Sequence, residues 1–275
     1  MTSRLRRSFE TTCAAVPRGL ALGRLVGVGW RTHLKHESQS GFVLLVAAGL
    51  PPLYATIAFY MLESGKQSGS LLYGAIGAGF MGVWTATLFG SGAAIQVQRW
   101  QGVLELHVAA PAPFFVPLLA LTLATATTGL YSLAATLGWS WALFGVSLSI
   151  QHPGLFVLAV PVAVLSLGAL GLVLSSSFVL WRNANAFTNM LEYPVWLVTG
   201  MLVPVALLPS WVENLSWVLA PTWGVRAIRA AALGGDSLRP IGMCVLLMLV
   251  YAAVGTLLLW NFERLARKRA TLSLA

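Results

Sequence analysis

Long apolar stretches alternate with short polar or proline-rich breaks along most of this chain. Six of the stretches are long enough for a helix to cross a hydrocarbon core of roughly 30 Å, which takes about 20 residues. The predicted spans are about 41–62, 71–95, 114–138, 155–179, 186–204 and 241–260. The pattern therefore predicts an all-α, polytopic membrane protein with six transmembrane helices.

The remaining segments predict shorter helices outside these spans. Residues 1–40 are basic and mildly amphipathic, which is typical of a helix in the cytoplasmic membrane interface. Residues 204–240, rich in proline and tryptophan, predict two short re-entrant helices in the outer leaflet between the fifth and sixth spans. We accordingly divide the chain into an interfacial segment 1–40, a transmembrane domain 41–260 and a cytoplasmic basic tail 261–275.

Composition indicates that the bilayer is the solvent of this chain. Only 9% of its 275 residues are charged and 57% are hydrophobic, whereas a soluble domain carries about 25% charged residues. A net charge of +9 often accompanies nucleic-acid binding, but no basic stripe here is interleaved with aromatic residues. We therefore expect a lipid environment and no nucleic-acid partner.

The placement of the basic residues predicts the orientation. With both termini on the inner side, 13 of the 17 lysines and arginines fall in inner segments and four in outer segments. Cytoplasmic segments of membrane proteins carry such an excess of basic residues. We therefore expect the chain in the plasma or inner membrane, with both termini in the cytoplasm.

Motifs that would carry out chemistry are missing from the sequence. A nucleotide-hydrolysing P-loop requires G-x-x-x-x-G-K-[ST], and none of the three lysines, Lys35, Lys66 and Lys268, completes that pattern. The histidines, cysteines and acidic residues show no complete metal-binding or catalytic spacing. We expect no catalytic residue, metal or cofactor in this chain, which is therefore not an enzyme by itself.

Small residues in the second predicted span indicate helix packing. Residues 77–82 match the dinucleotide pattern G-x-G-x-x-G, but they lie inside an apolar run without the strand that such a site needs before it. Gly74, Ala78 and Gly82 recur every four residues on one helix face. This spacing lets two helix backbones approach closely in lipid.

Two sets of polar residues in apolar surroundings are candidates for function. Glu192, next to Tyr193 in the fifth span, either lines a cavity or gate or extends to the inner interface and pairs with Arg182. Arg226 and Arg229 share one helix face and contact outer-leaflet phosphates or an anionic substrate, unless they serve only as interfacial anchors. The sequence leaves these alternatives open.

A polar patch, residues 98–113 (QRWQGVLELHVAAPAP), separates the second and third spans on the predicted cytoplasmic face. Its apolar residues fall at helical spacings, and the prolines that follow stop the helix. The pattern predicts a short amphipathic helix at about 98–108. This helix either lies on the membrane or docks into a cytoplasmic partner.

The patch also resembles part of a known family. Residues 99–111 (RWQGVLELHVAAP) resemble the cytoplasmic coupling segment E-R-x-x-G-T-L-E-x-L-x-x-x-P of type-2 ABC exporter permeases, which export drugs, polysaccharides and lipids. The run 199–221, which begins TGMLVPVALLPSW, resembles the family's S-G-x-x-x-P-x-x-x-L-P-x-W segment, with Thr199 in place of serine. The residues that match the coupling segment are Arg99, Gly102, Leu104, Glu105 and Pro111, and the departures are Gln98, Val103 and His107.

The resemblance implies the transmembrane subunit of an ATP-binding cassette exporter that moves an amphipathic or lipid-like substrate outward. It further implies two copies of a separate cytoplasmic ATPase subunit, which hold the ATP and Mg, and a second permease chain, identical or a paralogue. The residues implied to contact the ATPase subunit are Arg99, Trp100, Gly102, Leu104, Glu105 and Val108.

Two other classes of membrane protein remain as alternatives. A secondary transporter or channel tends to show internal repeats and charged residues near the midplane, and we find neither in this sequence. A non-transporting membrane scaffold needs no helix that docks on a cytoplasmic ATPase. Copurification of an ATPase subunit distinguishes both from an exporter.

Overall fold

The structure is a computed structural model that describes residues 18–39, 41–64, 71–100, 102, 115–180 and 184–269. Within these ranges the chain is helical and contains no strand. The helices are α1 (Arg18–Gln39), α2 (Gly41–Ser64), α3 (Leu71–Trp100), α4 (Phe115–Phe144), α5 (Pro153–Leu180), α6 (Ala184–Val198), α7 (Ser210–Val218), α8 (Ala220–Leu233) and α9 (Leu238–Arg269), with a 3-10 turn at Val205–Leu207. The predicted all-α class is confirmed for this part of the chain.

Each predicted span coincides with one helix, in the order α2, α3, α4, α5, α6 and α9. Within the described ranges, four stretches have the length and hydropathy of membrane spans: Leu71–Ser91, Phe115–Phe144, Pro153–Ser177 and Leu238–Asn261. Helix α6 has 15 residues, which is about 22 Å of helix and less than a hydrocarbon core requires. The chain is therefore a multi-pass membrane protein, and the count of six spans stays a prediction.

Four helices end five or more residues from the predicted position: α3 at Trp100, α4 at Phe144, α6 at Val198 and α9 at Arg269. The predicted fifth span, 186–204, ends early at Val198, because Gly200 adopts a positive φ of 80° and its N–H donates to the Leu197 carbonyl over 3.2 Å. The last helix continues to Arg269, so the first part of the predicted basic tail extends the sixth span as helix.

Helices α3 and α4 pack with their backbones in close contact. A Cβ atom added at Gly79 would lie 2.7 Å from Leu133 Cδ1, and one added at Gly129 would lie 2.8 Å from Val83 Cα. Further along the same pair of helices, a Cβ at Gly82 would overlap the Ser132 side chain. Glycine at these positions therefore allows the close approach on which helix association in lipid depends.

The predicted packing residues occupy different positions in this arrangement. Gly82 faces α4, as just described, and Ala78 is buried in the core. Gly74 is half-buried. The face of α3 that contacts α4 also includes Gly79, which lies outside the four-residue spacing, and Gly90, which continues that spacing eight residues after Gly82.

Helix α1 packs along α4. The indole Nε1 of Trp30 donates a hydrogen bond to Thr127 Oγ1 over 3.1 Å. A Cβ at Gly29 would lie 2.8 Å from Ala120 Cβ, so glycine permits the contact. Leu25 and Val28 of the same helix are exposed. The helix thus contacts the bundle and leaves apolar side chains uncovered, which suits the membrane interface.

Helix α8 is wedged between α3, α5 and α9 and is buried along most of its length. Near its start, a Cβ at Gly224 would lie 2.6 Å from Phe80 Cζ and 3.1 Å from Ala163 Cβ. At its end, the N–H groups of Gln151 and His152 donate to α8 carbonyls, each over 3.0 Å. Gly234, at φ 89°, forms the left-handed C-cap. The region therefore contains two short helices, α7 and α8, and their re-entrant placement in the outer leaflet stays a prediction.

Candidate functional site

A buried carboxyl joins three helices in the membrane domain. Glu192 of α6 is 7% exposed and accepts a hydrogen bond from Thr85 Oγ1 of α3 over 2.8 Å. The hydroxyl of Tyr54 in α2 lies 3.5 Å from the same Thr85 oxygen. Because α6 turns this side of the helix to the bundle, Glu192 contacts protein and not lipid. A carboxyl in hydrocarbon is placed in this way when it has a function or a partner.

The depth of Glu192 bears on its two predicted roles, which both stay predictions. Its partner Thr85 is 14 residues from Leu71 and 15 from Trp100, the two ends of α3. At about 1.5 Å per residue, Thr85 lies roughly 20 Å from either end of the helix. A glutamate side chain cannot extend over that distance to an interface. Arg182, with which Glu192 would pair at the inner interface, lies outside the described residues. The depth of Glu192 favours the interpretation that it lines a cavity or gate.

Aromatic rings connect the buried Glu192 to the surface of α6. The ring of Trp196 stands edge-on to Tyr54 at a centroid distance of 5.9 Å and edge-on to Tyr193 at 5.1 Å. Tyr54 and Trp196 are buried, whereas Tyr193 is 63% exposed. Trp196 Nε1 is buried without a hydrogen-bond acceptor among the described residues. The site therefore has a buried carboxyl, a buried unpaired donor and an exposed tyrosine within one short helix.

The exposed face of α6 is partly polar. Tyr193 shares this face with Asn189, Met190, Pro194 and Leu197, which are all exposed. The spacing of these residues is that of one stripe along a helix. Tyr193 thus presents a polar group on the surface of α6.

A second polar contact joins α6 to α3 at the end where α8 lies. Arg229 of α8 is 6% exposed, and its guanidinium donates to the carbonyl of Gly200 over 2.6 Å, of Met201 over 2.8 Å and of Tyr73 over 3.0 Å. The guanidinium carbon also lies 3.6 Å from the centroid of the Tyr73 ring.

Two glycines make room for Arg229. A Cβ at Gly77 would overlap the Met201 carbonyl oxygen and Arg229 Nη2. Gly200 turns its carbonyl toward the guanidinium by adopting a positive φ. Arg229 does not make the predicted contact with the outer leaflet, because its guanidinium binds backbone carbonyls inside the protein. Arg226 is half-buried, with its guanidinium carbon 5.4 Å from the Trp223 ring centroid, and stays available for such a contact.

The predicted docking segment is described only at its start. Arg99 and Trp100 form the end of α3, and Gly102 follows in a turn with φ 68°. Because a left-handed residue interrupts an α-helix, the predicted helix at 98–108 is not continuous through Gly102. Leu104, Glu105 and Val108 lie outside the described residues, and their contacts with an ATPase subunit stay predictions.

Sequence reasoning singled out Glu192 but not the residues around it. Thr85, Tyr54 and Trp196 resemble any other residue of an apolar helix, and their proximity depends on how three helices pack. The described part of the chain holds no group of three His, Cys, Asp or Glu side chains that suits a metal ion.

The comparison with protein families decides the class of the molecule. The family model described as ABC-2 type transporter matches residues 24–233, which include both segments that carry the resemblance. The chain belongs to the ABC-2 type transporter family. The comparison with curated proteins gives no match. This ABC-2 protein is therefore a multi-pass transmembrane permease, of a kind that works with an ATPase partner.

Proposed function

We propose that this ABC-2 permease is the transmembrane subunit of an exporter that moves an amphipathic or lipid-like substrate outward. Two copies of a separate ATPase subunit, which hold the ATP and Mg, dock on the cytoplasmic segment at about 98–108. The family supports a permease with an ATPase partner. The direction, the substrate class and the docking residues Arg99, Trp100, Gly102, Leu104, Glu105 and Val108 are part of the proposal.

The observation that carries the proposal is the continuity of α3. This helix runs without a break from Leu71 to Trp100, where the docking segment begins. It contacts α6 at Thr85 through Glu192, and the end of α6 at Tyr73 through Arg229. Because a helix is stiff along its axis, a displacement of the docking segment moves α3 and, through these two contacts, α6.

The site on α6 then has a defined role in transport. Glu192 and Tyr193 line the substrate cavity or form its gate, and motion of α3 changes the position of Thr85 against the carboxyl. The partly polar stripe of α6 is shielded from lipid by a second permease chain, identical or a paralogue. The cavity lies between the two chains, with Tyr193 exposed toward it.

The topology that we propose has six spans, with both termini in the cytoplasm of the plasma or inner membrane. Helix α6 is short, but we count it as the fifth span because α8 occupies the part of the membrane thickness that α6 does not cover. Gly224 in α8 packs on Phe80 and Ala163, which lie nine and ten residues inside α3 and α5. At about 1.5 Å per residue this is roughly 14 Å below the helix ends, which supports a re-entrant α8.

Copurification tests the docking role directly. The full chain is affinity-purified from its native membrane, and Mg-dependent ATPase activity and Walker-type ATPase polypeptides are measured in the eluate. The double variant Leu104→Asp/Glu105→Arg is expected to lose both, whereas Glu213→Arg, a charge reversal on the exposed surface of α7, retains them. ATPase activity that copurifies equally with both variants would show that the docking segment is elsewhere.

A further inference from the structure

Two arginines and two tryptophans form a cluster where α7, α8 and α9 meet. The rings of Trp217 and Trp223 stand edge-on at a centroid distance of 5.3 Å, and Trp223 Nε1 donates to the Trp217 carbonyl over 2.8 Å. Arg226 lies over the Trp223 ring at 5.4 Å, and Arg239 lies over the Trp217 ring at 5.9 Å. We call these four residues the Arg–Trp cluster.

The two guanidiniums of the cluster have rings beside them but no anionic partner. No carboxylate pairs with either arginine in the part of the chain that the structure describes. Asp236, the acidic residue closest in sequence to Arg239, accepts a hydrogen bond from the Leu238 N–H and so caps α9. The contact with a ring leaves the edge of a guanidinium free to donate hydrogen bonds.

The surroundings of the cluster are those of a membrane-facing surface. Trp217 is 40% exposed, and Arg239 is exposed in the first turn of α9. Tyr251, twelve residues further along α9, donates a hydrogen bond to the Val218 carbonyl, so the end of α7 lies beside the membrane span. The apolar side chains exposed nearby are Trp211, Leu215, Val218 and Leu238.

We propose that the Arg–Trp cluster binds the phosphate group of an anionic membrane lipid. A guanidinium matches the geometry of a phosphate and donates to two of its oxygens at once. Tryptophan rings prefer the depth of the lipid headgroups, and exposed apolar residues beside them suit acyl chains. A free phosphate ion would use the arginines but would leave the apolar surroundings without a partner.

This site is separate from the substrate site proposed at Glu192 and does not depend on the direction of transport. It involves half-buried Arg226 and exposed Arg239, and not Arg229, whose donors bind backbone carbonyls. A bound lipid would hold α7 and α8 against the start of α9. It would thereby stabilise the region that positions Arg229.

Lipid titration of the intact chain tests the proposal. The delipidated protein in neutral detergent is titrated with short-chain phosphatidylglycerol or phosphatidylcholine, and native mass spectrometry counts the bound lipids. On the order of 1 kcal/mol per basic residue near an anionic headgroup corresponds to a preference of about 30-fold for phosphatidylglycerol at the first site. Arg226→Gln/Arg239→Gln is expected to abolish this preference.

Two further variants keep the test decisive. Arg239→Gln changes only an exposed side chain and is expected to lower the preference about fivefold with the fold intact. Arg264→Gln is the matched control, because Arg264 lies over Trp260 at 5.5 Å elsewhere on α9 and is expected to leave the preference unchanged. Equal binding of both lipids to the wild-type chain, or displacement of phosphatidylglycerol by inorganic phosphate at equal concentration, would overturn the proposal.

Discussion

Arg229 donates a hydrogen bond to the carbonyl of Gly200 over 2.6 Å and thereby ties α8 to the turn that ends α6. The same guanidinium reaches Met201 and Tyr73, so one side chain holds three segments together. All three acceptors are backbone carbonyls in a buried position, where an unpaired polar group costs about 1–3 kcal/mol. The arrangement makes Arg229 more important for stability than any neighbouring arginine.

We therefore predict that Arg229→Lys destabilises the protein by about 3 kcal/mol although it keeps the charge. An ammonium group cannot donate to three separated carbonyls in the plane that a guanidinium provides. Thermal or denaturant unfolding of the protein in nanodiscs measures the change. Arg226→Lys is the control and is expected to change stability by less than about 0.5 kcal/mol, because the contact of Arg226 with the described residues is limited to the Trp223 ring.

Gly77→Ala is expected to be as damaging as the loss of Arg229. The added Cβ would overlap both the Met201 carbonyl oxygen and Arg229 Nη2, and the backbone atom cannot move aside without breaking the contact. We expect a loss of about 2–3 kcal/mol in the free energy of unfolding, which is typical of overpacking in a rigid core.

Gly242→Ala provides the matched control for this substitution. Gly242 also lies inside a helix, but no atom lies within 4 Å of a Cβ built there. Alanine is favoured over glycine in a helix by about 1 kcal/mol, so this variant is expected to be neutral or more stable. Equal destabilisation by both changes would contradict the role of Gly77 as the space for Arg229.

Most of the fold follows from the sequence because the bilayer limits what the chain can do. Apolar runs of about 20 residues must form helices in lipid, and each predicted span coincides with one helix. The end of α6 could not be predicted from the sequence, because Gly200 alone gives no sign that it adopts a positive φ. The turn that ends α6 accepts a hydrogen bond from Arg229, which is 29 positions away in the sequence.

Of the candidate site, only the charged residue could be predicted from the sequence. Glu192 is conspicuous in an apolar run, since charge is rare in hydrocarbon. Thr85 lies 107 positions from Glu192, and a threonine in an apolar helix gives no indication of its partner. Arg229 was expected at the membrane surface because it shares a helix face with Arg226 in the segment between the fifth and sixth spans. Its burial depends on small residues in α3, a helix far away in sequence.

The hydrogen bond between Thr85 and Glu192 predicts a coupled effect of substitutions. Thr85→Val removes the donor and leaves the carboxyl buried without it, which is expected to cost about 1–3 kcal/mol. In the background of Glu192→Leu, the same change is expected to cost much less, because no carboxyl remains to be paired. A double-mutant cycle on unfolding in nanodiscs measures the coupling energy, expected at about 1–2 kcal/mol. Additive effects of the two changes would show that the contact contributes nothing.

Stiffness of α3 is the mechanical requirement of the proposed transport cycle. Ala93→Gly/Ala94→Gly weakens the helix between Thr85 and Trp100 by about 2 kcal/mol without touching either contact with α6. We expect the variant to retain its ATPase partner and ATP hydrolysis but to lose most ATP-driven accumulation of substrate inside inside-out vesicles, where outward transport is measured as uptake, because displacement no longer reaches α6. Ala252→Gly/Ala253→Gly makes the same change in α9, which does not lead to the docking segment, and is expected to leave export nearly unchanged. Undiminished export by the α3 variant would mean that ATP-driven motion enters the bundle by another helix.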